Sequence, residues 1–116
     1  MTDELNKKKA FVTWEESFGG LQTDAQQGDA RAQRLLAMRY QRGRGVIKDE
    51  AIAFHWMQLA AQQNFALAQR SLGEFYENGL GTESNVNLAF HCYSLAALQG
   101  DPIATKHLHR LEQPTT

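Results

Sequence analysis

The chain writes one sentence twice. "AQQGDARAQRLLAMRYQRGRG" runs from residue 25 to 45, and "AQQNFALAQRSLGEFYENGLG" from residue 61 to 81. Residues 26–61 align with residues 62–97 without a gap, and 16 of the 36 positions are identical. Ordinary composition would give on the order of two or three identities. A fixed period of this length is the signature of a stacked repeat. A partial third copy, "LQGDPIATKHLHRL" (98–111), places Gly100, Asp101, Ala104 and Leu108 on Gly28, Asp29, Ala32 and Leu36. A weaker half-copy, "SFGGLQTDA" (17–25), places Phe18 on Phe54.

Each unit reads as two helices. The first spans Ala30 to Arg42 and carries Ala32, Leu36 and Tyr40 on one stripe at a spacing of four, the pattern of a helix with one apolar face. Gly43 follows the last periodic residue, where a left-handed C-cap favours glycine, and Gly45 permits the reversal that follows. The second helix opens at Asp49, a side chain suited to N-capping, and runs to about Gln62. Ala53, Phe54, Trp56, Leu59 and Ala60 supply its packing face, and the Ala60-Ala61 and Ala96-Ala97 pairs allow close helix approach. Neither helix can bury its stripe alone, so stacking along an axis is the stable solution. The expected fold is all-α: a short right-handed helix-pair solenoid of two full ~36-residue repeats with a half-repeat at each end. Its expected layout is a flexible N-terminus over 1–9 and a single helical repeat domain over 10–112. That domain divides into half-repeat 10–25, repeats 26–61 and 62–97, and half-repeat 98–112, with a flexible tail over 113–116. The half-repeats would cap the stack, with Phe11, Trp14, Phe18 and Leu21 at one end and Leu108 and Leu111 at the other. A homodimer that buries the solenoid ends is the alternative.

The run A-x-x-x-L-x-x-x-Y-x-x-G-x-G-V-x-x-D, then A-x-x-W, then A-A, resembles the SEL-one-like repeat, a cousin of the tetratricopeptide repeat. Ala32, Leu36, Tyr40, Gly43, Gly45, Val46, Asp49, Ala53, Trp56, Ala60 and Ala61 carry the likeness in the first unit, and it extends over about residues 17–112. The second unit departs at Thr82, Asn85 and Cys92, which stand for the valine, aspartate and tryptophan; Met57 stands where Tyr93 keeps the more usual tyrosine. The resemblance implies a helical repeat that binds other proteins.

Composition narrows the class of function. The formal net charge is −1, so no global basic surplus draws the chain to nucleic acid or membrane. No apolar stretch approaches the ~18 residues of a spanning helix. The one cysteine, Cys92, excludes an intrachain disulfide and fits a reducing, cytoplasmic setting.

Solenoids of this kind bind partners on a concave face lined mainly by the first helices. At ~100° per residue, Arg31, Arg34, Leu35, Met38, Arg39 and Arg42 fall opposite the packing stripe. Their counterparts are Arg70, Ser71, Glu74, Phe75 and Asn78 in the second unit, and Lys106, His107 and Arg110 in the third. Arginines around Leu35 and Met38, with Phe75 one repeat away, make an amphipathic strip of the residue types enriched at binding hot spots. The expected partner is another protein, presenting an acidic or amphipathic segment. Guanidinium forks would hold its carboxylates, while Leu35, Met38 and Phe75 would take an apolar anchor. Glu74, Glu77 and Glu83 interrupt the positive charge, which argues against nucleic acid.

No catalytic constellation, metal site or cofactor is expected. His55 and His91 lie one repeat apart, on helices packed ~10 Å from each other, too far for one metal to reach both at ~2 Å. His107 and His109 project to different sides of a helix. Cys92 and its neighbour His91 diverge by ~100°, so they form no thiolate dyad; the expectation for Cys92 is a buried, inert thiol. The G-x-G pairs follow a helix rather than a strand, which excludes a dinucleotide fingerprint. The leading expectation is a non-enzymatic adaptor or regulatory scaffold. An immunity or inhibitor protein that neutralises a toxin or enzyme is the alternative. A hydrolase of the β-lactam or cell-wall type, implied by cysteine-rich members of the resembled family, ranks below both because those members carry paired cysteines in each repeat.

Overall fold

The computed structural model describes residues 14–113. These fold into six helices: α1 (Trp14–Gln26), α2 (Ala30–Arg42), α3 (Glu50–Ala61), α4 (Ala66–Asn78), α5 (Val86–Leu98) and α6 (Pro102–Glu112). Each packs on the next along the chain. The expected flexible segment 1–9, the cap residue Phe11, the side chain of Trp14 and residues 114–116 lie outside the described residues.

The repeated residues hold repeated local structure. The Asp29 carboxylate accepts the backbone N–H of Ala32 at 2.9 Å, and the Asp101 carboxylate does the same for Ala104 at 2.9 Å, each satisfying a donor at a helix start that has no partner within the helix. Phe65, which occupies the corresponding place before α4, makes no such bond. Gly43 and Gly79 end α2 and α4 in the left-handed conformation, at φ 68° and 71°. The chain then turns, and the N–H groups of Asp49 and Asn85 return to the carbonyls of Tyr40 and Tyr76 at 2.9 and 2.8 Å. Asn85 caps α5 through Leu88 N–H at the same 3.0 Å at which Asp49 caps α3 through Ile52 N–H. The departure from aspartate therefore leaves the local geometry intact.

The core is a line of three clusters. Ala25, Ala32 and Leu36 form the first, with Phe18, Leu21, Tyr40 and Trp56 against it. Ala37, Ala53, Met57, Ala60, Ala68, Leu72, Phe75 and Cys92 form the second. Ala89, Tyr93, Ala96 and Ala104 form the third, closed by Leu108 and Leu111. Tyr40 and Trp56 bridge the first pair of clusters, and Tyr76 the second pair. Edge-to-face aromatic pairs recur one repeat apart: Phe18–Tyr40 at 6.1 Å and Phe54–Tyr76 at 5.4 Å. Each such pair adds about 0.5–1.5 kcal/mol beyond its buried area. Buried glutamines recur too. Gln63 donates to Gln33 at 2.8 Å, and Gln99 donates to Gln69 at 2.9 Å, so the glutamine of each A-Q-R string accepts from a glutamine at the head of the next repeat.

Candidate partner-binding face

The face opposite the packing stripe is built by α2 and α4. Three shallow depressions run along it, of about 170, 130 and 200 Å³. Arg31, Arg34 and Leu35 line the first, with Phe65 and Leu67. Arg34, Met38, Arg42, Arg70, Glu74 and Phe75 share the second. Leu35, Met38, Arg39, Arg42 and Arg44 line the third. Nine of the residues expected at a partner face therefore come together: Arg31, Arg34, Leu35, Met38, Arg39, Arg42, Arg70, Glu74 and Phe75. The other three, Asn78, Lys106 and Arg110, line none of these depressions. Asn78 turns back to the carbonyl of Glu74 at 3.0 Å.

The two repeats furnish this face differently. In the second, the charges neutralise one another. Arg70, only 15% exposed, meets Asp101 at 3.3 Å and Glu74 at 3.5 Å. Glu74 also faces His107 at 3.5 Å. Arg110 forks onto both oxygens of Glu77, at 2.6 and 2.7 Å. The Tyr93 hydroxyl donates to the same carboxylate at 2.7 Å, and the Tyr93 ring stacks on His107 at 4.6 Å. The Arg110 fork, working against a smaller desolvation effect and with help from Tyr93, holds the Glu77 carboxyl below its usual range. Burial pushes the Tyr93 hydroxyl far above its usual value, aided by its bond to Glu77.

In the first repeat, the positions matching Glu74, Glu77 and Asp101 hold Met38, Gln41 and Phe65. Arg34, the counterpart of Arg70, makes one contact to a neutral group, the Ser71 hydroxyl at 3.4 Å. Burial disfavours its cation, and so do the neighbouring Arg70 and Arg42, with Glu74 and Asp101 acting the other way. Arg31, Arg42 and Arg44 stand exposed, and Leu35 is 47% exposed among them.

Phe75 differs from the expectation of an exposed anchor site. It is 2% exposed and belongs to the central core cluster. Its inward position is shared by the half-buried Arg39 one repeat earlier, so Phe75 is the floor of a depression rather than a wall. Met38 is likewise half-buried and packs on that cluster. The contribution that the sequence reading missed is Asp101, 7% exposed, which both caps α6 and engages Arg70. Shifting each charged residue by one period would have revealed it, because Arg70 then has an acid where Arg34 has Phe65.

The histidines and the cysteine fall as ordinary helix residues. His55 and His91 are exposed, and among the described residues no group of three His, Cys, Asp or Glu side chains could hold a metal. Cys92 is 6% exposed, and burial pushes its thiol up to about 11. No helix of the described residues is long and apolar enough to cross a membrane.

The helix pairs, their turns and their period match the Sel1 repeat family model twice, over residues 30–65 and 66–101. The chain belongs to the Sel1 repeat family. Both matches begin at the first helix of a pair and keep the same 36-residue period. A Sel1 repeat protein from Oxalobacter formigenes shares 41% identity and superimposes with a TM-score of 0.80, covering 83% of this chain and 72% of that one. The protective antigen c5321 of uropathogenic Escherichia coli, described as having an SLR fold, is 32% identical with a TM-score of 0.78. That match covers 80% of this chain and 20% of the antigen. Cysteine-rich protein B of Helicobacter pylori, at 23% identity, has the same fold, with a TM-score of 0.79 over 84% of this chain and 73% of its own. No curated protein matches the chain. Sel1 repeats generally mediate protein–protein interaction and generally form non-enzymatic scaffolds.

Proposed function

We propose that this Sel1 repeat protein is an adaptor or regulatory scaffold whose first-repeat face receives an acidic or amphipathic segment of another protein. The observation that carries the reading is the asymmetry between the repeats. Arg70 is already answered by Asp101 and Glu74, whereas Arg34 has Phe65 and Met38 at the matching positions. A carboxylate arriving beside Arg34 and Arg42 would form charge-assisted, forked hydrogen bonds. Leu35 and the exposed edge of Met38 would meet an apolar side chain of the same segment. The arginines would set orientation and association rate, and the apolar contact would set residence time.

Peptides selected from a random display library against the full chain test this. Acidic sequences with an apolar anchor are expected, binding more weakly as salt rises. The Arg34→Glu, Arg42→Glu double variant, shown by circular dichroism to keep its helices, should bind them at least roughly tenfold more weakly. Binding unchanged in affinity and salt dependence would overturn the reading.

A further inference from the structure

One residue in each second helix decides whether the wedge beneath it is filled. Trp56 on α3 and Cys92 on α5 stand 36 residues apart. Trp56 packs on the first core cluster of Ala25, Ala32 and Leu36, as Tyr40 does, and reaches the second. The corresponding wedge against α3, α4 and α5 has Ala61, Leu72, Tyr76, Leu88 and Leu95 as its walls and only the Cys92 thiol at the place of the indole. An open, largely apolar pocket of about 280 Å³ results.

The walls match by register. Ala25, Leu36, Tyr40, Ile52 and Leu59 are the first-repeat counterparts of those five residues. The two wedges thus have closely similar apolar walls, and one lacks its filler. An aliphatic cavity of about 150 Å³ suffices for benzene, so a pocket of about 280 Å³ accommodates a larger ring system. It falls just below the about 300–1,000 Å³ of sites that envelop a free drug-sized ligand. Its walls Leu88 and Leu95 are 41% and 37% exposed, which offers apolar surface to whatever carries the ring. His55 stands edge-on to Trp56, with ring centroids 5.7 Å apart. His91, its counterpart, lines the pocket and can give an incoming ring the same neighbour.

We propose that this pocket is a receptor for a tryptophan side chain of a partner protein, seated as Trp56 is seated in the preceding repeat. The pocket shares no lining residue with the arginine face, so the two readings stand or fall separately. The residues at the mouth favour a polypeptide over a free aromatic molecule, because a backbone on either side of the ring can cover Leu88 and Leu95.

The test is a methyl NMR titration of the full chain with a capped seven-residue peptide carrying a central tryptophan between alanines. The leucine methyls of Leu72, Leu88 and Leu95 are expected to shift, and the peptide with central leucine should bind roughly tenfold more weakly, the difference an aromatic anchor makes in a pocket. Cys92→Trp, which supplies the indole from within, should abolish the shifts. Leu88→Glu, at a position 41% exposed, should weaken binding by a similar factor once circular dichroism shows that its helices are kept. Unmoved methyls at millimolar peptide would overturn the proposal, as would equal binding by Cys92→Trp or by the leucine peptide. Free indole binding as tightly as the peptide would also overturn it, since the site would then serve a small aromatic molecule.

Discussion

The first and second repeats share a backbone frame and differ in what occupies it. In the first, Ala37 and Met57 meet in the core; in the second, Gly73 lies beneath the ring of Tyr93. A Cβ on Gly73 would sit 2.6 Å from that ring, so volume given up from Ala37 to Gly73 is taken up from Met57 to Tyr93, an exchange across the same helix–helix contact. The charged positions show a second exchange. The second repeat closes its charges on itself and on α6, while the first leaves the half-buried Arg34 on a neutral hydroxyl and Arg31 and Arg42 exposed. Period and turns specify the fold, and the residues that break the period give each repeat its own surface.

The largest effect should come from the joint between the repeats. Gly81, at φ 68°, lies so close to α3 that a Cβ would sit 2.1 Å from the Glu50 carbonyl oxygen. Gly81→Ala combines left-handed strain with a backbone clash and should cost about 2–4 kcal/mol in denaturant unfolding. Gly28→Ala, at φ 97° with nothing within 4 Å, carries the strain alone and should cost about 1–2 kcal/mol. Equal losses would mean that the joint is not rigid.

Next come the two aspartate caps. Asp29→Ala removes one cap bond and should cost about 1 kcal/mol. Asp101→Ala removes two cap bonds and the partner of the half-buried Arg70, so about 2 kcal/mol is expected by the same measurement. Gly73→Ala is smaller, because overpacking against Tyr93 is partly offset by better helix propensity. A net loss of about 1 kcal/mol is expected. Adding Tyr93→Met rebuilds the first-repeat pairing and should recover part of it in a double-mutant cycle.

The smallest effect is a pH dependence. The Glu77 carboxyl is held below its ordinary value, first by Arg110. Burial pushes Asp101 up, but the Ala104 N–H and Arg70 outweigh it and leave its carboxyl below its ordinary value. A lowered folded-state value means that the unfolded chain binds the proton first as pH falls. The stability from Glu77 is therefore complete above about pH 4.5 and fades as pH drops through the lowered value. Arg110 is 51% exposed, so solvent screening limits the term to less than about 1 kcal/mol. Glu77→Gln should flatten the acid limb of stability by that amount, and an unchanged limb would remove Glu77 from the account.

Helix limits, caps and turn glycines were legible in the sequence because they rest on local chemistry. Gly43, Gly45 and Asp49 act within a few residues of themselves. The stripe of Ala32, Leu36 and Tyr40 was legible because the helical period alone points it inward. Phe75 and Arg70 were not. Angular position places both on an outer face, but the depth of neighbouring helices decides burial, and Phe75 shares its core cluster with residues of α2, α3 and α5. The pairing of Arg70 with Asp101 spans 31 residues, beyond the reach of any local pattern. Cys92 was legible as a buried thiol, whereas the empty volume beside it required the walls to be seen in place.

The junctions between helix pairs are nearly interchangeable. The residue before the N-terminal cap position of α2, α4 and α6 has positive φ: 97° at Gly28, 61° at Asn64 and 92° at Gly100. The glutamine bonds and tyrosine-anchored turns repeat on the same register. A gapless cassette of this length could therefore be spliced in or duplicated between α3 and α4 with its ends already matched. In such a chain, lengthening is a copying event, and novelty enters afterwards, one substituted side chain at a time.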